Sequence, residues 1–146
     1  MAKFVYRMQN ILNIKLKLES QAKIAYSEAN AAYMEQQRLL QGLLIKKAGY
    51  DRRMKELLSG DLNVIELNRC RNDVNTLKTL VRRQMMEVHK AELVLEAKRN
   101  ELNSVMKERK TQEILREKAF DAFKKELLHE ESKEIDQLVS FNYNNR

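Results

Sequence analysis

The sequence predicts an all-α protein, an antiparallel two-helix coiled-coil hairpin with the second helix longer than the first. Three observations carry that expectation. Apolar residues recur at an interval of seven along most of the chain, only three Gly and no Pro interrupt it, and charged residues make up 34% against 6% aromatics. Such a composition belongs to long helices and coiled coils, and leaves too few large side chains for a globular core. One stretch, Leu57-Leu58-Ser59-Gly60-Asp61-Leu62, supplies the strong break: a Gly closes one periodic segment and Asp61 can cap the next. The 146 residues are read as one elongated domain, 1–146, with helix 1 over about 3–58, a turn at 59–61, helix 2 over about 62–139 and a frayed tail at 140–146.

In helix 1 a seven-residue repeat places Phe4, Ile11, Leu18, Ala25, Ala32, Leu39, Lys46 and Arg53 in one row, and Met8, Lys15, Ala22, Ala29, Gln36, Leu43, Tyr50 and Leu57 in the other. Ala22, Ala25, Ala29 and Ala32 make the middle of the seam small, so an opposing backbone can come close. The polar members Lys15, Gln36, Lys46 and Arg53 cost stability but can fix register. Gly42 and Gly49 lie inside the helix, each worth about 1 kcal/mol less than Ala.

Helix 2 is read either as one continuous helix with a weak point near Asn68 to Asn72, or as a short helix followed by a long one. Val74, Val81, Val88, Leu95 and Leu102 then recur at intervals of seven, joined by Leu77, Met85, Ala91 and Val105. The run Lys107 to Glu113 is polar and offers no seam residue. Beyond it the apolar pattern resumes with Ile114, Leu115, Ala119, Phe120, Phe123, Leu127, Leu128, Ile135, Leu138 and Val139.

A hairpin turning at Gly60 sets Phe4 opposite Arg116 to Lys118. Past that point helix 2 has no partner of its own. The stripe Phe120, Phe123, Leu127, Ile135 and Leu138 is therefore the candidate partner-binding face, since an uncovered apolar stripe is normally laid into a groove. Packing in a homo-oligomeric bundle is the competing use for it.

Charge follows the same axis. The chain is at +7. Residues 46–83 carry ten bases against five acids, whereas residues 113–136 carry eight acids against five bases. Lys46, Lys47, Arg52, Arg53, Arg82 and Arg83 are the candidate electrostatic docking residues, for an acidic protein face or anionic lipid. A nucleic-acid site is disfavoured there because Tyr50 is the lone interleaved aromatic, and single-strand binders supply stacking platforms.

No catalytic arrangement emerges. The three glycines stand apart, so no phosphate-cradling loop exists. His89 and His129 lack a second ligand at helical spacing, and Cys70 has no nearby base in sequence. Neither metal nor cofactor is expected. No apolar leader or run of about twenty apolar residues appears, and the lone Cys70 fits a reducing compartment.

Three stretches together resemble a known family. Phe4-Val5-Tyr6-Arg7-Met8-Gln9-Asn10-Ile11-Leu12 opening a helical hairpin, the run Glu108-Arg109-Lys110, and Glu131-Ser132-Lys133-Glu134-Ile135-Asp136 before the tail resemble the FliJ family of the bacterial flagellar type III export apparatus. Gln137 departs from the pattern, since an acid after Asp136 is usual.

The resemblance implies a non-enzymatic coiled coil similar to the central stalk of rotary ATPases. The implied partners are the hexameric flagellar export ATPase, the cytoplasmic domain of the membrane export gate, and export chaperones, with a role as general export chaperone or escort. It implies a cytoplasmic monomer held peripherally at the cell membrane through protein partners. On that analogy Phe120 to Val139, with Phe4 and Arg7 of the N-terminal turn, would enter the ATPase ring. A structural scaffold, or a holdase binding clients through the apolar helix, is the alternative.

Overall fold

The computed structural model describes residues 2–60 and 63–144. Helix α1 spans Gln9–Ser59 and helix α2 spans Val64–Asn144. The chain is all-α, the two helices pack against each other, and the second is the longer, as the sequence predicts. Contacts divide the chain into two compact units, Ala22–Leu102 and Met1–Gln21 with Asn103–Arg146.

The helix boundaries differ from expectation at both ends. α1 begins at Gln9 rather than near residue 3, because residues 2–6 leave the helical path and the Tyr6 carbonyl accepts from Gln9 N at 3.1 Å to start the first turn. α2 continues to Asn144, where fraying from residue 140 was expected. Nothing in that stretch stops it, since the three Gly lie at 42, 49 and 60 and there is no Pro. Of the two readings of α2 near Asn68 to Asn72, the structure takes the uninterrupted helix.

The expected cap, Asp61, lies outside the described residues. Asn63 caps α2: its Oδ1 accepts from Ile65 N at 3.1 Å and Glu66 N at 3.4 Å, and its carbonyl accepts from Leu67 N at 2.9 Å. Two amides that the first turn would leave unpaired are thereby satisfied. Glu66 adds a negative charge where the helix dipole favours one.

In the Ala22–Leu102 unit the helices run antiparallel. Tyr50 meets Cys70, Gln36 meets Gln84 and Tyr26 meets Arg99, so numbers rise on one helix as they fall on the other. The buried positions are Ala29, Cys70, Val74, Leu77, Val81 and Leu95, spaced three or four apart on α2 apart from a gap after Val81. Half-buried Gln84, Val88 and Ala91 fill that gap. Gln84 Nε2 donates to the Gln36 carbonyl at 2.9 Å and to Gln36 Oε1 at 2.7 Å, so a polar seam pair is satisfied without water. Met85, expected in this seam, is 56% exposed, and Gln84 holds the position.

One of the two expected rows of α1 is shifted by a residue. The row Lys15, Ala22, Ala29, Gln36, Leu43, Tyr50, Leu57 faces inward. The other inward row is Leu12, Glu19, Tyr26, Tyr33, Leu40, Lys47, Met54, each one residue after the predicted member. Ile11, Leu18, Leu39, Lys46 and Arg53 are exposed instead. Both choices alternate by three and four; which one is used depends on the side from which α2 approaches, and that is not a property of α1 alone.

In the other unit the antiparallel sense repeats, with Tyr6 against Gln112 and Lys15 against Glu108. The polar run Lys107 to Glu113, expected to lack seam residues, sits in the seam. Arg109 reaches in from α2: its Nε and Nη2 donate to the two carboxylate oxygens of Glu19 at 2.6 and 3.2 Å, and its Nη1 donates to Glu113 at 2.9 Å. Glu19 is among the buried residues, at 6% exposure. These hydrogen bonds, Glu19's first, raise the Arg109 pKa further above its ordinary value.

Candidate partner-binding surface

The surface is built on α2 beyond the Arg109 layer. Phe4, outside α1, lays its ring edge-on against Phe120, with centroids 5.0 Å apart at 65°, and tilted against Phe123 at 5.6 Å. Edge and tilted contacts set the positive rim of one ring against the negative face of the next. Cations flank the cluster. The Arg116 guanidinium lies 5.5 Å from the Phe4 centroid and Lys124 Nζ 4.6 Å from that of Phe120. Arg116 Nε also donates to Gln9 Oε1 at 3.0 Å, and Tyr6 OH donates to Gln112 Oε1 at 3.1 Å. Together these bonds hold residues 4–9 against α2.

The expectation that α2 is unpartnered past residue 118 is therefore corrected. A helical continuation of α1 through Phe4 could not reach as far, but the non-helical start of the chain carries Phe4 on to Phe120 and Phe123. Those two rings and Leu127 are partly covered: Phe120 is 37% exposed, and Phe123 and Leu127 are half-buried.

From Leu128 to Asn144 every residue is exposed. Leu128, Ile135, Leu138 and Val139 stand 60–64% open at intervals that bring them to one side of α2. Of the predicted partner-binding residues, the structure thus joins Phe4, Phe120 and Phe123 in one cluster and leaves Ile135 and Leu138 bare. Arg7 is exposed and outside the cluster. The sequence placed Arg116 opposite Phe4 but gave no sign of the pair Glu19 and Arg109. Shifting the α1 row by one residue would have placed an acid in the seam, and an arginine on the other helix was the signal to seek.

The predicted electrostatic residues divide as well. Lys46, Arg52, Arg53, Arg82 and Arg83 are exposed, whereas Lys47 is half-buried and bridged to Asp51 at 2.9 Å. Cys70 is buried in the seam, its Sγ 3.5 Å from the Tyr50 carbonyl. Among the described residues no helix is long and apolar enough to cross a membrane, and no group of three or more His, Cys, Asp or Glu could hold a metal ion.

What the arrangement offers is an apolar helix face with charged borders. The family described as flagellar FliJ protein matches the chain over residues 4–146. Neither a curated protein nor a solved structure matches the chain. With a bare apolar helix end, an N-terminal aromatic cluster and a family match over nearly its whole length, the chain belongs to the FliJ family, components of the flagellar export apparatus.

Proposed function

We propose that the chain is a non-enzymatic coupling element of flagellar export. In this reading the bare end of α2 enters the hexameric export ATPase, and the protein links that ring to the cytoplasmic domain of the membrane export gate while escorting export chaperones. Its place is then the cytoplasm, at the inner face of the cell membrane, held there by protein partners. The observation that supports this most is the exposed helix 128–144, whose Leu128, Ile135, Leu138 and Val139 stand 60–64% open among the described residues. A face of that kind is suited to insertion in a groove by anchors at helical spacing. Phe4, Phe120, Phe123 and Leu127 extend the contact, and Lys46, Arg52, Arg53, Arg82 and Arg83 serve acidic protein faces elsewhere.

The test is co-sedimentation with the export ATPase, together with the rate of ATP hydrolysis. Replacing Leu128, Ile135 and Leu138 by Ser is expected to abolish association and stimulation while leaving the circular dichroism melt unchanged, because these side chains pack on nothing. Full association by that variant would refute the reading.

A further inference from the structure

Two glycines on α1 stand out because they gain nothing where they are. Gly42 and Gly49 are seven residues apart on one face, and a Cβ added to either would meet nothing within 4 Å. Neither has a positive φ that would require glycine. Each weakens a helix interior, yet each removes a side chain from the outer surface, so that another backbone can approach closely.

The surroundings of Gly49 are a shallow depression of about 350 Å³ lined by Ile45, Lys46, Gly49, Tyr50 and Arg53. Tyr50 and Arg53 also line a second one, of about 180 Å³, that continues to Glu66, Arg69, Cys70 and Asp73. Ile45 is 64% exposed. The depression at Gly49 holds the two cations Lys46 and Arg53 and no acid, whereas in the second one Arg53 and Arg69 stand against Glu66 and Asp73, so the positive charge of the groove is concentrated at its glycine notch.

We propose that this groove receives the acidic end of α2 from a second copy of the chain. The charge is complementary: residues 128–144 carry Glu130, Glu131, Glu134 and Asp136 against Lys133 alone. The apolar residues are complementary too, since Leu128, Ile135 and Leu138 need cover and Ile45 with the open glycine face provides it. The contact joins two different surfaces, so it is heterologous, and each pair of copies keeps one groove and one helix end free for the next. It withdraws the apolar end of α2 from solvent when no other partner holds it, and it competes with any such partner. The proposal stands whether or not that partner is the export ATPase, because Gly42, Ile45 and Gly49 take no part in the proposed ATPase contact and association of the chain with itself is read without any ATPase present.

Sedimentation of the full chain is the test. At about 50 mM salt the apparent mass should rise with protein concentration, and at about 0.5 M salt it should return to that of one chain, because these exposed charges are screened. Filling the notch with Gly42→Leu and Gly49→Leu should lower the association constant about tenfold or more, whereas Gly42→Ala and Gly49→Ala, which improve the helix, should lower it less. A charge exchange gives the decisive arm. Lys46→Glu with Arg53→Glu should abolish association, Glu131→Lys with Glu134→Lys should do the same, and an equimolar mixture of the two variants should form mixed oligomers that neither forms alone, because both the exchanged and the native groove-to-end pairs are then complementary. A single-chain mass at all concentrations in low salt, or a mixture that stays monomeric, would overturn the proposal. Association that survives both groove variants would also overturn it, and would assign the contact to the α2 ends packing on each other.

Discussion

At the scale of the residue, the polar groups in the seam are sensitive to the loss of one partner rather than to the loss of both. Glu19 is buried with its carboxylate bonded by Arg109, and removing the guanidinium takes two charge-assisted hydrogen bonds from a carboxylate that has little access to solvent. Arg109→Ala should therefore lower the melting midpoint by several degrees in circular dichroism. The double change Glu19→Leu with Arg109→Leu should melt at or above the native midpoint, since apolar packing replaces an ion pair at little net cost. Asn63 makes the opposite kind of contribution, local and solvent-exposed. Asn63→Ala should cost about 1 kcal/mol in urea unfolding, the usual effect of losing a helix cap. On the outer surface of α1, Arg38 donates to both oxygens of Glu35 at 2.9 and 2.6 Å, and chiefly through these hydrogen bonds holds the carboxyl below its ordinary 4.5. A lowered carboxylate pKa stabilises the folded state above the ordinary value, and that stabilisation disappears as pH falls through the lowered one. Both side chains are solvated, so a melt of Glu35→Gln should differ from the native protein slightly at pH 7 and not at all well below pH 4.

At the scale of the element, the two helices are stabilised unevenly. The α2 segment from Cys70 to Leu95 supplies five of the buried apolar residues, and Leu95→Ala should cost about 2–4 kcal/mol because a core leucine leaves both lost burial and a cavity. α1 has weak points at its two interior glycines. Gly42→Ala and Gly49→Ala should each add up to about 1 kcal/mol, because the new methyl meets no atom and the unfolded chain loses freedom. The end of α2 is the reverse case. Residues 128–144 are helical but bury nothing, so helix propensity and the preceding turns alone maintain them. Their amides should exchange with solvent much faster than those of Val74 to Leu95, and binding of a partner should slow them.

At the scale of the whole molecule, the family and the class of fold were legible in the residues. The heptad interval, the rarity of Gly and Pro and the break near Gly60 suffice for a two-helix hairpin, because each is a statement about one stretch of chain. That α2 is the longer helix and that its far end is apolar were legible on the same grounds, whereas its continuation to Asn144 was not. What was not legible concerns pairing. Phe4 was expected opposite Arg116 to Lys118; Arg116 does lie over its ring, but the main contacts are Phe120 and Phe123, reached because residues 2–6 are not helical. The polar run at Lys107 to Glu113 read as a gap in the seam, and only Glu19 of α1 and Tyr6 of the non-helical segment before it make Arg109 and Gln112 part of it.

The sequence by itself thus determined helices, their approximate ends and the presence of an apolar α2 terminus, since periodicity and breakers act within a few turns of their own position. Only the tertiary structure decided which row of α1 faces inward, which charges are matched and how much of the aromatic cluster is covered. Those depend on the side from which a second helix arrives and on groups about a hundred residues away, and no local pattern contains that distance.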